Sequence, residues 1–280
     1  MVTSLPRRKS RAARSAGRRA ANSRGMRFLA RAGFTARGIT YGIIGWIALL
    51  IAFGKSRQQA DRTGALHVLS STPFGGVALW LLVVGFIGLA LWRLSEAAYG
   101  AAGRGGRKAT KRITSLLRAV IYAVLAYGVL KYALGLGSPK SSDQQSVDLT
   151  ATAMKHPGGR ILVVIIGLAL IGVGIHLAYQ AWKKEFRHEL ELGRMHARTR
   201  RIVEWLGQVG GIARGVVFAT VGVFLVVAAV EVKPGQAKGI DSSLRALTAT
   251  PLGPWLLVIV ALGLILFGVF SCCEARWRRL

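Results

Sequence analysis

Long stretches of the chain carry no formal charge and no polar stripe. The segments are 38–54, 73–92, 119–139, 161–182, 215–230 and 246–273, of which the third is broken only by Lys131. Roughly 20 helical residues cross a hydrocarbon core of about 30 Å, and each segment is near that length or slightly short of it. A soluble bundle would need a polar stripe on each helix, and "GRILVVIIGLALIGVGIHLAYQAW" has none. The pattern predicts an all-α integral membrane protein with six spans.

The first helix of every predicted hairpin opens in the same way. Aligning Arg37, Arg118 and Arg214 places an aromatic residue at +4 in each copy. Small residues stand at +1, +5 and +8: Gly38, Gly42 and Gly45, then Ala119, Ala123 and Ala126, then Gly215, Ala219 and Gly222. Small residues let neighbouring helices approach closely, so we expect these positions to form helix-packing faces.

The second helix of each hairpin is entered through a proline. The entry sequences are "TPFG", "HPGG" and "TPLG", and a segment that can form a short outer helix precedes each of them. Proline suits the first helical turn, where its missing N–H has no partner to lose. Counting from the prolines, +19 and +23 give three pairs that each share a helix face: Trp92 and Glu96, His176 and Gln180, Phe270 and Glu274.

These matches predict three tandem two-helix repeats. Repeat 1 covers 31–97, repeat 2 covers 112–181 and repeat 3 covers 208–276, with a charged linker helix over 182–207. Because the repeats run in the same direction, we expect a bundle with pseudo-threefold symmetry about the membrane normal. Arg187 and Glu191 have the i, i+4 spacing of an ion pair within the linker helix.

The position of each carboxylate suggests a partner for each arginine. Glu96 is predicted at the membrane edge where Arg37 enters, and the same count pairs Arg214 with Glu274. Opposite charges at a lipid boundary relieve each other's desolvation, so structural ion pairs are the leading hypothesis. Repeat 2 offers the polar pair Arg118 and Gln180. A polar pathway for a proton, an ion or a small solute is the first alternative, and arginines facing lipid headgroups are the second.

Three polar residues break the repeat symmetry. Lys131 falls in the outer half of the third span, where we expect it to reach toward the outer surface, and Glu231 lies at similar depth and is a possible partner. His176 replaces Trp92 and Phe270. We expect His176 to bond a neighbouring helix, with proton transfer as the alternative.

Lysine and arginine are unevenly distributed between the loops. Ten precede residue 34, six or seven lie between spans 2 and 3, and seven lie between spans 4 and 5. The other three loops carry about three each. Because basic residues concentrate in cytoplasmic loops, we expect a plasma-membrane protein with both termini in the cytoplasm.

The net charge of +28 is concentrated in those basic loops and in the N-terminal tail, residues 1–30. The tail has too little apolar surface to fold alone and is predicted to be disordered. Basic residues near a membrane attract anionic headgroups by roughly 1 kcal/mol each, so membrane lipids are the expected partners. Nucleic acid is not expected, because the tail has few aromatic residues to stack on bases.

No catalytic constellation is evident in the sequence. The glycine-rich runs lie inside spans rather than after a strand, Cys272 and Cys273 are adjacent, and no His or Cys cluster has the spacing of a metal site. We therefore expect no enzymatic activity, no cofactor and no metal.

The chain resembles an uncharacterised bacterial membrane-protein family, domain of unknown function number twelve hundred and six. The residues that carry the resemblance are "ARAGFTARGITYGIIG", "LGQVGGIARGVVFATVGVFLVVAAVE", "SLRALTATPLGPWLLVIVALGLILFGV" and "EARWRR". Repeat 2 departs, because it lacks the glycine after Arg118 and has Gln180 in place of the acid. The resemblance implies three two-span repeats in a bacterial, mostly actinobacterial, plasma membrane, and it implies no substrate or functional residues.

Two functions are compatible with the sequence. The first is a structural or regulatory membrane module with a basic, lipid-facing cytoplasmic surface. The second is a small transporter or channel for an ion, a proton or a small solute. The two differ in whether Lys131, His176, Glu96 and Glu274 line one axial cavity.

Overall fold

The computed structural model describes residues 23–56, 58–100, 108–137, 139–246 and 253–279. These residues contain nine α-helices: α1 Arg24–Ala52, α2 Arg62–Ser70, α3 Gly75–Tyr99, α4 Ala109–Ala133, α5 Ser142–Met154, α6 Gly159–Trp182, α7 Ala197–Val230, α8 Ile240–Ala246 and α9 Gly253–Trp277. Six of them, α1, α3, α4, α6, α7 and α9, are long and apolar enough to cross a membrane. The predicted all-α fold with six spans is confirmed.

The short helices α2, α5 and α8 each lie between the two spans of one repeat, as the sequence predicts. Successive spans alternate in direction, so both described chain ends and the α3–α4 and α6–α7 connections lie at one end of the bundle. We call this the basic end, and the other the short-helix end. Two of the three entry prolines, Pro73 and Pro157, lie in turns before α3 and α6 rather than in the first helical turn, and Pro251 lies outside the described residues. In these turns Gly75 N donates to Thr72 O at 2.9 Å and Gly159 N donates to His156 O at 3.0 Å.

The spans pack most extensively between repeats. The three extensive pairs are α1 with α9, α3 with α4, and α6 with α7, and each joins a second helix of one repeat to a first helix of the next. Within repeats, α1 packs on α3 and α7 packs on α9. The equivalent pairs give the bundle its threefold pattern.

Repeat 2 is the exception to this pattern. Its two spans, α4 and α6, share no extensive contact. Only 22% of the apolar window of α4 and 17% of that of α6 are buried, against 39% to 50% in the other spans. We call the interval between α4 and α6 the open seam.

The small-residue faces pack against the neighbouring repeat rather than the hairpin partner. A Cβ at Gly38 would lie 2.7 Å from Gly268 O on α9, and one at Gly215 would lie 2.6 Å from Gly174 O on α6. Gly45 and Gly222 meet the same neighbours, α9 and α6. In repeat 2, Ala119 and Ala126 are buried and Ala123 is exposed. Helix backbones therefore touch where repeats meet, as small residues in membrane helices permit.

Three aspartates close the short-helix end. Asp61, Asp143 and Asp241 stand at the starts of α2, α5 and α8, and we call them the aspartate ring. Each accepts hydrogen bonds from the next repeat. Asp61 accepts from Ser142 N at 2.7 Å and from Ser142 Oγ at 3.0 Å. Asp143 accepts from Gly239 N and Ser242 Oγ, both at 2.7 Å, and Asp241 accepts from Ala60 N at 2.7 Å. The hydrogen bonds thus join repeat 1 to repeat 2, repeat 2 to repeat 3 and repeat 3 to repeat 1.

Two sequence expectations at the basic end need correction. Most of the predicted disordered tail lies outside the described residues, but α1 already begins at Arg24, where Ser23 Oγ caps Met26 N at 3.1 Å. The linker is not one helix. Its first part forms two 3-10 helices, Glu185–Glu189 and Leu192–Arg194, with Leu190 between them fully buried beside α7 and α9, and residues 197–207 are the first turns of α7. Arg187 pairs with Glu204 at 3.2 Å instead of Glu191.

Candidate functional site

Arg37 joins all three repeats at one buried point. On α9 it forms an ion pair with Glu274, and its Nε donates to Ser271 Oγ at 3.2 Å. Its Nη1 donates to Tyr122 Oη on α4 at 3.5 Å. The residue is only 8% exposed. A buried guanidinium is tolerated when its donors meet acceptors in this way.

The chain end and the α6–α7 linker add a second set of ion pairs. Arg278, just after α9, is bound to both Glu274 and Glu189. Backbone bonds hold these segments together, since Glu191 N donates to Trp277 O at 2.8 Å and Arg279 N donates to Glu189 O at 2.9 Å. The linker therefore folds back on the end of α9 and places its carboxylate at the basic end.

Glu96 belongs to a fourth ion pair. It pairs with Arg93 one turn earlier on α3, at 2.7 Å, and accepts a hydrogen bond from Ser115 Oγ of α4 at 3.3 Å. Arg93 is 4% exposed, and its Nε is buried without a hydrogen-bond partner. This carboxylate thus joins repeat 1 to repeat 2.

Aromatic rings surround the guanidinium groups. Arg37 lies 4.9 Å from the ring centroid of Phe34, and Arg214 lies 4.5 Å from that of Phe267. Arg278 lies 5.2 Å from the Trp92 ring. Contacts of this kind contribute roughly 2 kcal/mol when they are shielded from water.

Arg118 and Arg214, the counterparts of Arg37, have no carboxylate partner. Arg118 makes no hydrogen bond or ion pair with any described residue, although it is close enough to interact electrostatically with Arg93, Glu189 and Arg214. Arg214 packs on the Phe267 ring, and its Nε is buried without a hydrogen-bond acceptor among the described residues. In the described part of the chain, neither of these two cations forms an ion pair with a carboxylate.

These side chains form one group, which we call the arginine cluster. Its members are Arg37, Arg93, Arg118, Arg214, Arg278, Glu96, Glu189, Glu274 and Tyr122. Five arginines and three glutamates leave an excess of two positive charges. Such an excess at the end of a bundle favours a bound anion.

Glu189 is the acid of the cluster that lies outside the spans. Its partial burial alone would raise its pKa, but the charges of Arg278, Arg93 and Arg118 outweigh that effect and hold the pKa of Glu189 below its ordinary value of 4.5. The carboxylate is therefore ionised at neutral pH, as its ion pair requires.

Comparison with known proteins gives the chain a family. Residues 32–100, 113–184 and 209–278 match the family described as Domain of Unknown Function (DUF1206). The chain belongs to this family. A Bacillus subtilis (strain 168) protein described as uncharacterized protein YxxB is 29% identical over 252 residues, which cover 89% of this chain and 90% of that protein. No solved structure matches the chain significantly.

Each DUF1206 segment contains one of the three aligned arginines, yet the predicted hairpin ion pairs are wrong. Glu274 binds Arg37 of repeat 1 rather than Arg214 of its own repeat, and Glu96 binds Arg93 rather than Arg37. The reason is the packing, because α1 lies against α9 over a longer interface than against α3. Arg37 therefore meets the acid of repeat 3.

The predicted pair of Arg118 and Gln180 is also absent. Arg118 lies on α4 and Gln180 on α6, the two spans that the open seam separates. The Gln180 side chain forms no hydrogen bond with any described residue.

The asymmetric residues are placed apart from one another and from the cluster's ion pairs. Lys131 and His176 are exposed, whereas Trp92 and Phe270, the counterparts of His176, are 6% and 4% exposed. His176 bonds no neighbouring helix in the described part of the chain, because its hairpin is open. Glu231 bonds Gln236 at 2.6 Å and lies 3.6 Å from Lys233, so it does not pair with Lys131.

Several cluster members were missed from the sequence. Arg93 carried a usable signal, its i, i+3 spacing from Glu96. Arg278 lies in a run of basic residues that resembles an ordinary cytoplasmic tail, and Glu189 reaches the site only through the fold of the linker. Tyr122 was recognised as a repeat position and not as a hydrogen-bond partner.

Among the described residues, no group of three or more His, Cys, Asp or Glu side chains is arranged to hold a metal ion. The acids of the cluster are each bound to arginine rather than to one another.

Proposed function

We propose that this multi-pass membrane protein is a non-enzymatic structural or regulatory module that binds anionic phospholipid at its basic end. The observation that supports this proposal is the excess of two positive charges in the arginine cluster. Uncompensated charge within a span is costly, so a bound anion would stabilise the folded bundle.

The basic end adds charge around the cluster. Lys108, Lys111 and Arg112 precede or begin α4, and Lys183 and Lys184 follow α6. Headgroups of anionic lipids lie at this level of a membrane, where each nearby basic residue is worth about 1 kcal/mol. Lipid binding would therefore draw on the exposed basic residues and on the excess positive charge of the arginine cluster.

Retained lipid tests the proposal. The full chain is purified in mild detergent from a membrane of phosphatidylethanolamine and phosphatidylglycerol, and its bound lipids are counted by native mass spectrometry. We expect phosphatidylglycerol to be enriched over its proportion in the membrane. Lipid retained in the membrane's own proportions would refute anionic-lipid binding.

The placement of the polar residues gives less support to a transporter or channel. Lys131 and His176 are exposed, while Glu274 is bound inside the cluster, so these side chains do not line one cavity. A flux assay in liposomes with a proton or ion gradient tests this alternative. Flux above that of protein-free liposomes would favour it.

We also propose that the basic end faces the cytoplasm of a bacterial cell. The support is the uneven distribution of lysine and arginine between the loops at the two ends. A phosphatase that is active only outside the cytoplasm, fused after Leu280, should be inactive, and an active fusion would reverse the orientation.

A further inference from the structure

We propose that Arg118 and Arg214 bind the phosphate of one anionic phospholipid whose acyl chains occupy the open seam between α4 and α6. This inference rests on the proposed function and gives it a site. The same surface without these two arginines would attract lipid only loosely.

The first support is the pair of unused donors. Arg118 makes no hydrogen bond or ion pair with the described residues, and the Nε of Arg214 is buried without an acceptor. The acid that interacts electrostatically with Arg118, Glu189, is already bound to Arg278. A phosphate supplies several acceptor oxygens, and guanidinium groups recognise it through paired N–H donors.

The second support is depth. Gly215, the neighbour of Arg214, packs on Ala178 of α6, so Arg214 lies near the level of Tyr179 and Trp182. Both aromatic residues are exposed, at 54% and 66%. Tyr and Trp are enriched at the headgroup level of a bilayer, which places the free guanidinium where a lipid phosphate lies.

The third support is the opening of repeat 2. In repeat 1, Trp92 of α3 packs edge-on against Phe34 of α1, with ring centroids 5.3 Å apart. The equivalent His176 of α6 is exposed, because α4 does not cover it. The position that Trp92 and Phe270 bury in repeats 1 and 3 is thus exposed along the seam in repeat 2.

The apolar walls of the seam favour a lipid over a free phosphate. Exposed aliphatic residues such as Leu117 and Ile121 on α4 and Ile165 and Val173 on α6 suit acyl chains. A soluble phosphate would use the same arginines but would gain nothing from these residues.

Lipid titration of matched variants tests the site. Delipidated full chain in detergent receives short-chain phosphatidylglycerol, phosphatidylcholine or inorganic phosphate, and binding is followed by the shift in thermal midpoint. We expect Arg118→Gln and Arg214→Gln each to weaken phosphatidylglycerol binding by about 10- to 100-fold, the loss typical of a charged hydrogen bond. Arg198→Gln on α7 and Lys155→Gln at the short-helix end remove one exposed charge each, and we expect changes within about twofold.

The outcomes are distinguishable. Equal loss in the exposed-charge controls, or no loss in Arg118→Gln and Arg214→Gln, would overturn the site and leave the proposed function intact. Equal binding of phosphatidylcholine by the unaltered chain would overturn the proposed function itself. A midpoint shift with inorganic phosphate as large as that with phosphatidylglycerol would overturn the lipid as the ligand.

If a glutamine variant does not purify as a monodisperse protein, a lysine variant at the same position provides the test. Arg118→Lys keeps the charge and loses the paired donors, so we expect binding to weaken by about three- to tenfold. Unchanged affinity in Arg118→Lys together with unchanged affinity in Arg214→Lys would contradict the proposed guanidinium contacts.

Discussion

Glu274, near the end of the last span, forms a buried ion pair with Arg37 in the first span. The contact joins repeat 3 to repeat 1 and replaces the hairpin pairing that the sequence suggested. It makes the two ends of the chain interdependent for stability.

A double-mutant cycle tests the ion pair between Arg37 and Glu274. Breaking one partner of a buried pair costs about 3–5 kcal/mol, so we expect Glu274→Gln and Arg37→Gln each to lower the free energy of unfolding by that order. The double variant should lose much less than the sum, because the residues share one interaction. The double variant of Arg37→Gln with Asp61→Ala, at the opposite end of the bundle, is the control, and its losses should add. Thermal midpoints in detergent give both comparisons, and additive losses for Arg37 with Glu274 would refute the pair.

Close packing between repeats predicts opposite effects at two glycines of one helix. A Cβ at Gly38 would meet Gly268 O at 2.7 Å, whereas one at Gly42 would meet nothing within 4 Å. We expect Gly38→Ala to destabilise the protein by about 1–3 kcal/mol. Gly42→Ala should be neutral or stabilise by up to about 1 kcal/mol, because alanine loses less backbone entropy in a helix. Similar thermal midpoints for both variants would contradict the packing of α1 on α9.

The sequence predicted the fold well because membrane spans are set by composition and length. It also located Arg37, Arg118 and Arg214 as equivalent positions and found the small-residue faces beside them. Helical periodicity shows which residues share a face but not which neighbour covers that face. The partners of Glu96 and Glu274 were therefore assigned wrongly, since contact between repeats is decided by the whole bundle.

The aspartate ring shows a second limit of the sequence. Asp61, Asp143 and Asp241 each stand near the start of a short helix, a common position for a cap. Their hydrogen bonds to other repeats depend on how three loops meet in space. Sequence position alone gives no sign of that cyclic connection.

The aspartate ring should contribute more to stability than an exposed acid nearby. Asp61 is 1% exposed and accepts bonds from Gly64 and Ser142, whereas Asp148 pairs with Lys140 at the surface. We expect Asp61→Ala to cost about 2–3 kcal/mol, since it leaves backbone donors unpaired, and Asp148→Ala to cost under about 1 kcal/mol. Chemical or thermal unfolding in detergent measures both. Equal costs would argue against a structural role for the ring.

Glu189 gives the basic end a defined pH dependence. Its pKa in the folded protein is held below the ordinary value of 4.5, so its contribution to stability is present above pH 4.5 and is lost as the pH falls through the folded pKa. We expect Glu189→Gln to be less stable than the unaltered chain at pH 7, with the difference shrinking below pH 4.5. Thermal midpoints of the two proteins across this range measure the difference. A difference that stays constant down to pH 3 would rule out the ion pair of Glu189 with Arg278 as its source.

The central claim is that the uncompensated arginines are stabilised by anionic lipid. The direct measurement is the thermal midpoint of the full chain in nanodiscs of increasing phosphatidylglycerol fraction in phosphatidylcholine, at low salt and at about 0.5 M salt, where exposed charges are largely screened. We predict a midpoint that rises with the phosphatidylglycerol fraction and keeps part of that rise at high salt, because Arg118 and Arg214 are half-buried and are screened less than exposed charges. A midpoint independent of lipid charge at either salt concentration would contradict the account.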